Sequence, residues 1–293
     1  MKNEDENEKV TQKTVINWYP GHMAKTKRLI SEKLELIDIV VEVVDARIPL
    51  SSHIKDIDSL IKNKKRIIVF SKIDLCDIEE TKKWKTYYEK LGYKVVMLDL
   101  STTTNLGELY KIIDELMEEK VKKDKLKGLK PRRTRLIILG SPNVGKSSLI
   151  NRIVNKKITN VGNKPGVTKN LEWIRISEKH ELLDSPGILW PNQTDESTGL
   201  NLAAFTIIKE EIIPVIDVAL YILKMLESYY PNILKEKYKI DNISDDIEGT
   251  FVFIGKNKGL LSKGGTVDIE RVAFAILNDI KSEHIKKITF DRL

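Results

Sequence analysis

Apolar runs and amphipathic segments alternate along residues 1–191, which is the pattern of strands followed by helices. Runs of consecutive apolar residues predict four buried β-strands, at residues 39–44, 66–70, 95–98 and 136–139. Amphipathic spacing predicts helices between them, at residues 23–37, 79–91 and 106–121. This alternation predicts an α/β fold in which helices cover a parallel sheet.

The pattern changes in residues 192–293, where helical spacing replaces the alternation. Apolar residues at helical spacing predict three helices, at residues 200–208, 214–229 and 268–281. Residues 255–265 contain four glycines and are predicted to form a loop. We therefore expect two domains, an α/β domain over residues 1–191 and a mostly helical domain over residues 192–293.

Composition and charge narrow the class of protein. The chain has 293 residues, of which 41% are hydrophobic and 32% charged, as in globular proteins. The longest uncharged apolar stretch, residues 199–208, is too short to cross a bilayer, and residues 1–13 do not resemble a signal or transit peptide. A single cysteine, Cys76, excludes an internal disulfide. We expect a cytoplasmic protein, and the net charge of +7 permits a nucleic-acid partner without proving one.

The sequence GSPNVGKS at residues 140–147 predicts a phosphate-binding loop. It matches G-x-x-x-x-G-K-[ST], follows a predicted strand and precedes the start of a helix. Lys146 would contact the β- and γ-phosphates of a nucleotide, and the Ser147 hydroxyl would bind Mg²⁺. The predicted nucleotide-binding residues of this segment are Asn143, Val144, Gly145, Lys146, Ser147 and Ser148.

Two segments after this loop predict the rest of a magnesium and γ-phosphate site. Asp184 follows a short apolar run and begins the sequence DSPG, so its carboxylate could hold Mg²⁺ through water. The amide of Gly187 could then contact the γ-phosphate. Thr168, in the sequence PGVT, is the candidate for a mobile threonine that closes on Mg²⁺ when a triphosphate is bound.

The sequence SKID at residues 71–74 predicts a guanine-binding turn at the end of a strand. Asp74 would accept from the ring N1–H and the exocyclic amine, and the aliphatic part of Lys72 would pack on the ring. Ser101, in the next loop, could support the base. The alternative is an ordinary surface turn after a strand.

Both base-recognition segments precede the phosphate loop, whereas in ordinary GTPases they follow it. This order predicts a circularly permuted GTPase with the same sheet. Residues 120–135 would then join the two halves. They hold nine Lys or Arg residues and one acidic residue, and they are either a solvated linker or a contact with RNA phosphates.

Several longer motifs carry a family resemblance that runs through nearly the whole chain. They are WYPGHMAK at residues 18–25, VDARIP at residues 44–49, GSPNVGKSS, PGVTK, DSPGILWP and KGLLSKGGTVD. With these motifs the chain resembles the circularly permuted GTPases, and most closely those that assemble the large ribosomal subunit of bacteria. The resemblance implies a GTPase domain that binds GTP and GDP, followed by a helical domain that docks on ribosomal RNA. One position departs from the family, because Ser71 stands where Asn is usual.

The resemblance also bears on hydrolysis. Ile188 occupies the position where Ras-like enzymes have a water-orienting glutamine, so we expect slow basal hydrolysis that the ribosome stimulates. His22 is the candidate substitute, and its alternative is a structural or RNA-contacting role. Asn143 resembles a K⁺ ligand of potassium-activated GTPases, with a loop-shaping role as the alternative.

These observations together predict a GTPase that acts as a switch in assembly of the large (50S) ribosomal subunit. We expect the large subunit and its rRNA as partners, no membrane, and a monomer away from the ribosome. A small-subunit assembly GTPase of the same permuted class is one alternative. A GTP-dependent interaction protein with negligible turnover is the other.

Overall fold

The computed structural model describes residues 28, 31–55, 57–61, 64–102, 106–130, 132–154, 173–183, 195–209, 212–262 and 264–293. The predicted domain boundary at residues 191 and 192 lies outside these ranges. The helix predicted over residues 23–37 also begins outside them. Its described end is helical at residues 31–33 and finishes in a 3₁₀ turn at Leu34–Leu36.

Six strands form one sheet. They are β1 (Ile39–Asp45), β2 (Lys65–Ser71), β3 (Lys94–Met97), β4 (Thr134–Gly140), β5 (Trp173–Arg175) and β6 (His180–Leu183). The four strands predicted from apolar runs are confirmed as β1 to β4. The sheet order is β3-β2-β1-β4-β6-β5, and all neighbours are parallel except β5, which runs antiparallel to β6 at the edge.

The phosphate-loop strand β4 lies inside this sheet. The three strands that precede it in sequence lie on one side, and the two that follow it lie on the other. Register pairs Asp45 with Ser71 and Val43 with Gly140, so the carboxyl ends of β1, β2 and β4 meet at one edge. Ligands of parallel α/β sheets bind at this edge.

Helices cover both faces of the sheet. The helices are α1 (Ile57–Ile61), α2 (Ile78–Lys90), α3 (Gly107–Leu126) and α4 (Lys146–Val154). Alternate residues of β1 point to opposite sides, Val41 toward α3 and α4, and Val40 toward α1. One expectation needs correction, because residues 120–135 are not simply a linker. Their first part continues α3 to Leu126, and the last two residues already belong to β4.

The remaining described helices form the second, helical part of the chain. They are α5 (Glu196–Ala204), α6 (Val215–Tyr229), α7 (Pro231–Tyr238), α8 (Ile247–Asn257) and α9 (Ile269–Lys281). The three predicted helices are confirmed as α5, α6 and α9, although α5 begins and ends earlier than predicted. None of the helices that the structure describes is long and apolar enough to cross a membrane.

The prediction missed α7 and α8, and it assigned residues 255–257 to a loop although α8 includes them. Gly255 explains the error. It lies inside α8 at a buried position, where a Cβ atom would clash with the side chains of Val267 and Val272. This glycine therefore permits close packing of α8 and does not mark a turn.

Candidate nucleotide-binding site

The phosphate loop connects β4 to α4 at the carboxyl edge of the sheet. Gly140 lies against β1, where a Cβ atom would be 2.5 Å from the carbonyl oxygen of Val43. Gly145 has φ +96°, a left-handed conformation that glycine adopts without strain. These two observations explain why the motif requires glycine at both positions. Val144 is buried between them, and Ser147 and Ser148 lie half-buried in the first turn of α4.

Lys146 is the cation of this loop, and only 7% of it is exposed. Its Nζ donates to the carbonyl oxygen of Ser141. Among the described residues, no carboxylate pairs with it. Burial lowers the pKa of Lys146 from its usual 10.5 to about 7, and the nearby charge of Lys72 contributes to the decrease. A buried cation of this kind is suited to an arriving anion such as phosphate.

Ser71, the first residue of SKID, is fully buried and faces the phosphate loop. Its hydroxyl donates to the carbonyl oxygen of Val144 and lies 2.9 Å from the carbonyl oxygen of Val44. The family asparagine at this position is expected to contact the base and brace the loop. In this structure Ser71 makes the bracing contact.

Lys72 is held by an ion pair that the sequence analysis did not find. Its backbone is left-handed, with φ +56°, and its Nζ lies 2.9 Å from Oδ2 of Asp45. Asp45 also accepts two hydrogen bonds from the Arg47 side chain, at 3.0 and 2.8 Å. Burial alone would raise the pKa of the Asp45 carboxyl, but Arg47 and Lys72 hold it well below its usual range. The motif VDARIP thus contributes the charges that fix Lys72.

Asp74 and Ser101 lie in two neighbouring loops. Asp74 is half-buried in the turn after Lys72, and no described side chain pairs with its carboxylate. Ser101 is organised by Asp99, which accepts from its amide at 2.8 Å and its hydroxyl at 2.6 Å. Arg152 of α4 donates to the carbonyl oxygen of Ser101 at 3.3 Å, so the helix after the phosphate loop also holds this loop.

The three loops converge at Gly145. A Cβ atom at this position would lie 3.5 Å from Oγ of Ser71 and 3.6 Å from Cδ1 of Leu100. The phosphate loop, the SKID turn and the loop of Ser101 therefore line one site. A circularly permuted GTPase is expected to bring the base-recognition segments and the phosphate loop together in this way.

Asn143 lies at the outer side of the phosphate loop, exposed and with φ +58°. Its Nδ2 donates to the carbonyl oxygen of Thr206, in the segment after α5, at 2.6 Å. The amide nitrogen thus connects the phosphate loop to the helical part of the chain. The amide oxygen is the atom that a cation would use.

Four predicted site residues lie outside the described residues: His22, Thr168, Asp184 and Gly187. Their roles stay predictions. Within the described ranges, no group of three or more His, Cys, Asp or Glu side chains could hold a metal ion.

Two family models match the chain. Residues 135–254 match the model described as 50S ribosome-binding GTPase. Residues 58–192 match the model described as RsgA GTPase, a range that contains SKID ahead of the phosphate loop.

Full-length relatives and solved structures are also similar. Ribosome biogenesis GTPase A from Bacillus licheniformis is 45% identical over 278 residues, which cover 95% of this chain and 98% of that protein. The protein of the same name from Thermotoga maritima is 32% identical, with 94% of each chain covered. The crystal structure of GNP-bound YlqF from T. maritima matches with a TM-score of 0.65 and 25% identity, covering 92% of this chain and 98% of that chain.

Proposed function

The chain belongs to the ribosome biogenesis GTPase A family, and from this premise we propose that it is a GTP-dependent switch in assembly of the large ribosomal subunit. It is a GTPase that binds guanine nucleotides, hydrolyses GTP to GDP and phosphate, and takes part in ribosome biogenesis. The main observation that supports a nucleotide-binding site is the buried ammonium of Lys146, at the edge of the sheet where three loops converge.

Phosphate binding follows from the surroundings of Lys146. When phosphates bind, its Nζ would exchange the carbonyl oxygen of Ser141 for a phosphate oxygen and regain full charge. The amides at the start of α4 would donate to the same phosphates, because a helix N-terminus favours negative charge. The site therefore combines a fixed cation with backbone donors.

For the metal ions, we propose oxygen ligands from this chain. Ser147 offers a hydroxyl beside Lys146, an oxygen donor of the type that Mg²⁺ prefers, with Thr168 and Asp184 as its proposed partners. Bound Mg²⁺ would neutralise charge on the phosphates. Oδ1 of Asn143 is the proposed K⁺ ligand.

The K⁺ proposal has a direct test. Replacing K⁺ with Na⁺ should slow turnover, and Asn143→Gly should remove the difference while tolerating the left-handed backbone. Equal turnover of the unaltered protein in K⁺ and Na⁺ would count against Asn143 as a ligand.

Base recognition rests on Asp74 in the proposed site. Its carboxylate would accept from guanine N1–H and the exocyclic amine, while Asp45 fixes Lys72 so that its aliphatic part can cover the ring. Asp74→Asn should weaken GTP binding and favour xanthine nucleotides, because the new amide donates to the xanthine carbonyl. Equal affinity of the unaltered protein for GTP and ATP would contradict this role.

Several observations support RNA of the large subunit as the partner. The family model matched by residues 135–254 is described as 50S ribosome-binding, and the chain has a net charge of +7. In residues 120–135, Lys120 and Arg132 both pair with Asp38, and Arg135 pairs with Glu181. The exposed cations that remain at the end of α3 and beyond it are Lys123, Lys125, Lys127 and Lys130.

A hydrolysis assay tests the choice of subunit. We expect purified large subunits to stimulate multiple-turnover GTP hydrolysis and small subunits to leave it near the basal rate. Stimulation by small subunits alone would favour the small-subunit alternative. Work on a ribosomal subunit implies a cytoplasmic site of action, and we propose that the free protein there is a monomer.

A further inference from the structure

The last residues of the chain return from α9 to the loops around the base site. Residues 285–292, here called the C-terminal tail, are mostly buried, and Ile288 and Thr289 are 0% exposed. The backbone amides of Lys287 and Ile288 donate to the carbonyl oxygen of Leu75, at 2.7 and 3.2 Å. Leu75 directly follows Asp74, so the tail contacts the SKID turn beside its proposed base-reading carboxylate.

Thr289 fixes the far end of the same turn. Its Oγ1 accepts from the amide of Asp77 at 3.2 Å and lies 3.0 Å from Oγ1 of Thr81 in α2. Asp77 is the N-cap of α2, accepting from the amides of Glu79 and Glu80. The turn is therefore held between Ser71 at its start and Thr289 at its end.

Asp291 holds a second loop, the one that follows β1. Its Oδ2 accepts from the amides of Leu50 and Ser51, both at 2.7 Å. The amide of Phe290 donates to the carbonyl oxygen of Arg47 at 2.7 Å. This loop begins with the Asp45 and Arg47 pair, and Asp45 fixes Lys72. The tail therefore contacts the segments that hold both residues expected to contact the base.

The left-handed backbone of Lys72 explains why such bracing is needed. A non-glycine residue keeps this conformation only where its surroundings determine it. Asp45 constrains the side chain of Lys72, and the tail constrains the backbone that follows it. Without the tail, the turn would gain conformational freedom, and Asp74 would lose a fixed position.

We infer that the C-terminal tail is a positioning element for guanine recognition. Thr289, which follows Asp77 by 212 residues in the sequence, holds the turn that contains Asp74. This inference rests on the proposed reading of guanine by Asp74. Thr289 does not touch the nucleotide and acts through the turn. Affinity for the base thus depends on a segment that directly continues α9 of the helical part.

Competition binding with GDP and IDP tests the inference, since IDP lacks only the exocyclic amine that Asp74 would bind. The full-length protein should bind GDP at least roughly tenfold more tightly than IDP, as a charged hydrogen bond contributes. Thr289→Val keeps the side-chain volume but removes the oxygen beside Asp77, and should reduce this ratio at least roughly threefold. A change that only lowers the folded fraction would leave the ratio unaltered.

Matched variants separate the possible outcomes. Thr289→Ser keeps the hydroxyl and should restore the ratio, while Lys286→Ala, at an exposed tail position, should leave it unchanged. Thr289→Ala removes the same oxygen and should also lower the ratio, which keeps the test usable if Thr289→Val does not fold. If Asp74→Asn abolishes the preference for GDP but a folded Thr289→Val or Thr289→Ala protein retains it in full, the inference is overturned while the role of Asp74 stands. Equal GDP and IDP affinity in the unaltered protein would overturn the reading of guanine by Asp74 and this inference with it.

Discussion

The hydroxyl of Ser71 donates a hydrogen bond to the backbone carbonyl of Val144, which joins the start of the base turn to the middle of the phosphate loop. The carbonyl oxygen of Val44 lies 2.9 Å from the same hydroxyl. A hydroxyl has one proton, whereas the asparagine usual in the family has two N–H donors. Ser71 therefore braces the loop with less donor capacity than the family residue.

Ser71→Ala should weaken binding of GTP and GDP together, by roughly fivefold, because the carbonyl of Val144 loses its buried donor. Titration of a fluorescent GDP analogue measures the change. Ser244→Ala is the matched control, since Ser244 is exposed in the helical part and its hydroxyl oxygen accepts from the amide of Asp246. Equal losses in the two variants would argue against a bracing role for Ser71.

Proton uptake should accompany nucleotide binding because the pKa of Lys146 is lowered to about 7 in the nucleotide-free protein. Bound phosphates favour the charged form and raise this pKa again. At pH 8 the free lysine is roughly one-tenth protonated, so GDP binding should take up close to one proton. Calorimetry in buffers of different ionisation enthalpy measures this number, and zero uptake at pH 8 would contradict the buried, depressed lysine.

The lowered pKa of Lys146 also makes the free energy of unfolding depend on pH. In the nucleotide-free protein the unfolded state binds more protons at Lys146 than the folded state between pH 7 and 10.5. The contribution of Lys146 to the free energy of unfolding therefore increases as the pH rises through this window. Saturating GDP should flatten this pH dependence, because bound phosphates raise the pKa of Lys146 again, and thermal unfolding with and without GDP can measure the change.

His22→Ala should retain GTP binding and slow ribosome-stimulated hydrolysis, since Ile188 replaces the usual glutamine. Orienting or general-base roles contribute roughly 10²–10⁴-fold. Single-turnover hydrolysis with large subunits, at matched nucleotide occupancy, separates chemistry from binding. Unchanged stimulated turnover would remove His22 from the mechanism.

Two lysines near the end of α8 should behave differently when neutralised. Lys258 lies 2.8 Å from the buried carboxylate of Asp279 and over the ring of Tyr238, so Lys258→Met should lower stability by about 2 kcal/mol. Lys256 is exposed and lies in the segment of residues 256–263, which the family resemblance favours as a second RNA contact. Lys256→Ala should therefore leave stability unchanged and weaken large-subunit binding with a flatter salt dependence.

Thermal unfolding and sedimentation with subunits at several salt concentrations check both lysine variants. A stable Lys258→Met protein would contradict the structural role of Lys258. If Lys256→Ala leaves the salt dependence of subunit affinity unaltered, the RNA contact lies on another surface.

Sequence patterns found the elements whose signals are local. The strands β1 to β4 are runs of buried apolar residues, and the phosphate loop is a contiguous motif. The phosphate loop and the base turn were expected to meet at one edge of the sheet, because the carboxyl ends of parallel strands lie at the same edge. In contrast, the last turns of α3 are polar on most sides, so their helical state left little apolar periodicity to detect.

The contacts that the sequence did not reveal join distant positions. Lys258 pairs with Asp279, 21 residues away, and nothing in the glycine-rich segment marks this lysine as internal. The pairing of Lys72 with Asp45 and the docking of Thr289 on Asp77 depend equally on tertiary geometry. The types of the motif residues were enough to predict the chemistry of the site. The contacts that support those residues could be seen only in the folded structure.

Sedimentation of the protein with purified large subunits, in the presence of GDP or a non-hydrolysable GTP analogue, tests the central claim most directly. The claim is that nucleotide state controls affinity for the subunit, and Asn143 offers a contact between the phosphate loop and the helical part through Thr206. We expect binding roughly tenfold tighter with the GTP analogue, within the usual range of coupling between sites. Equal affinity in the two nucleotide states would contradict a GTP-dependent switch.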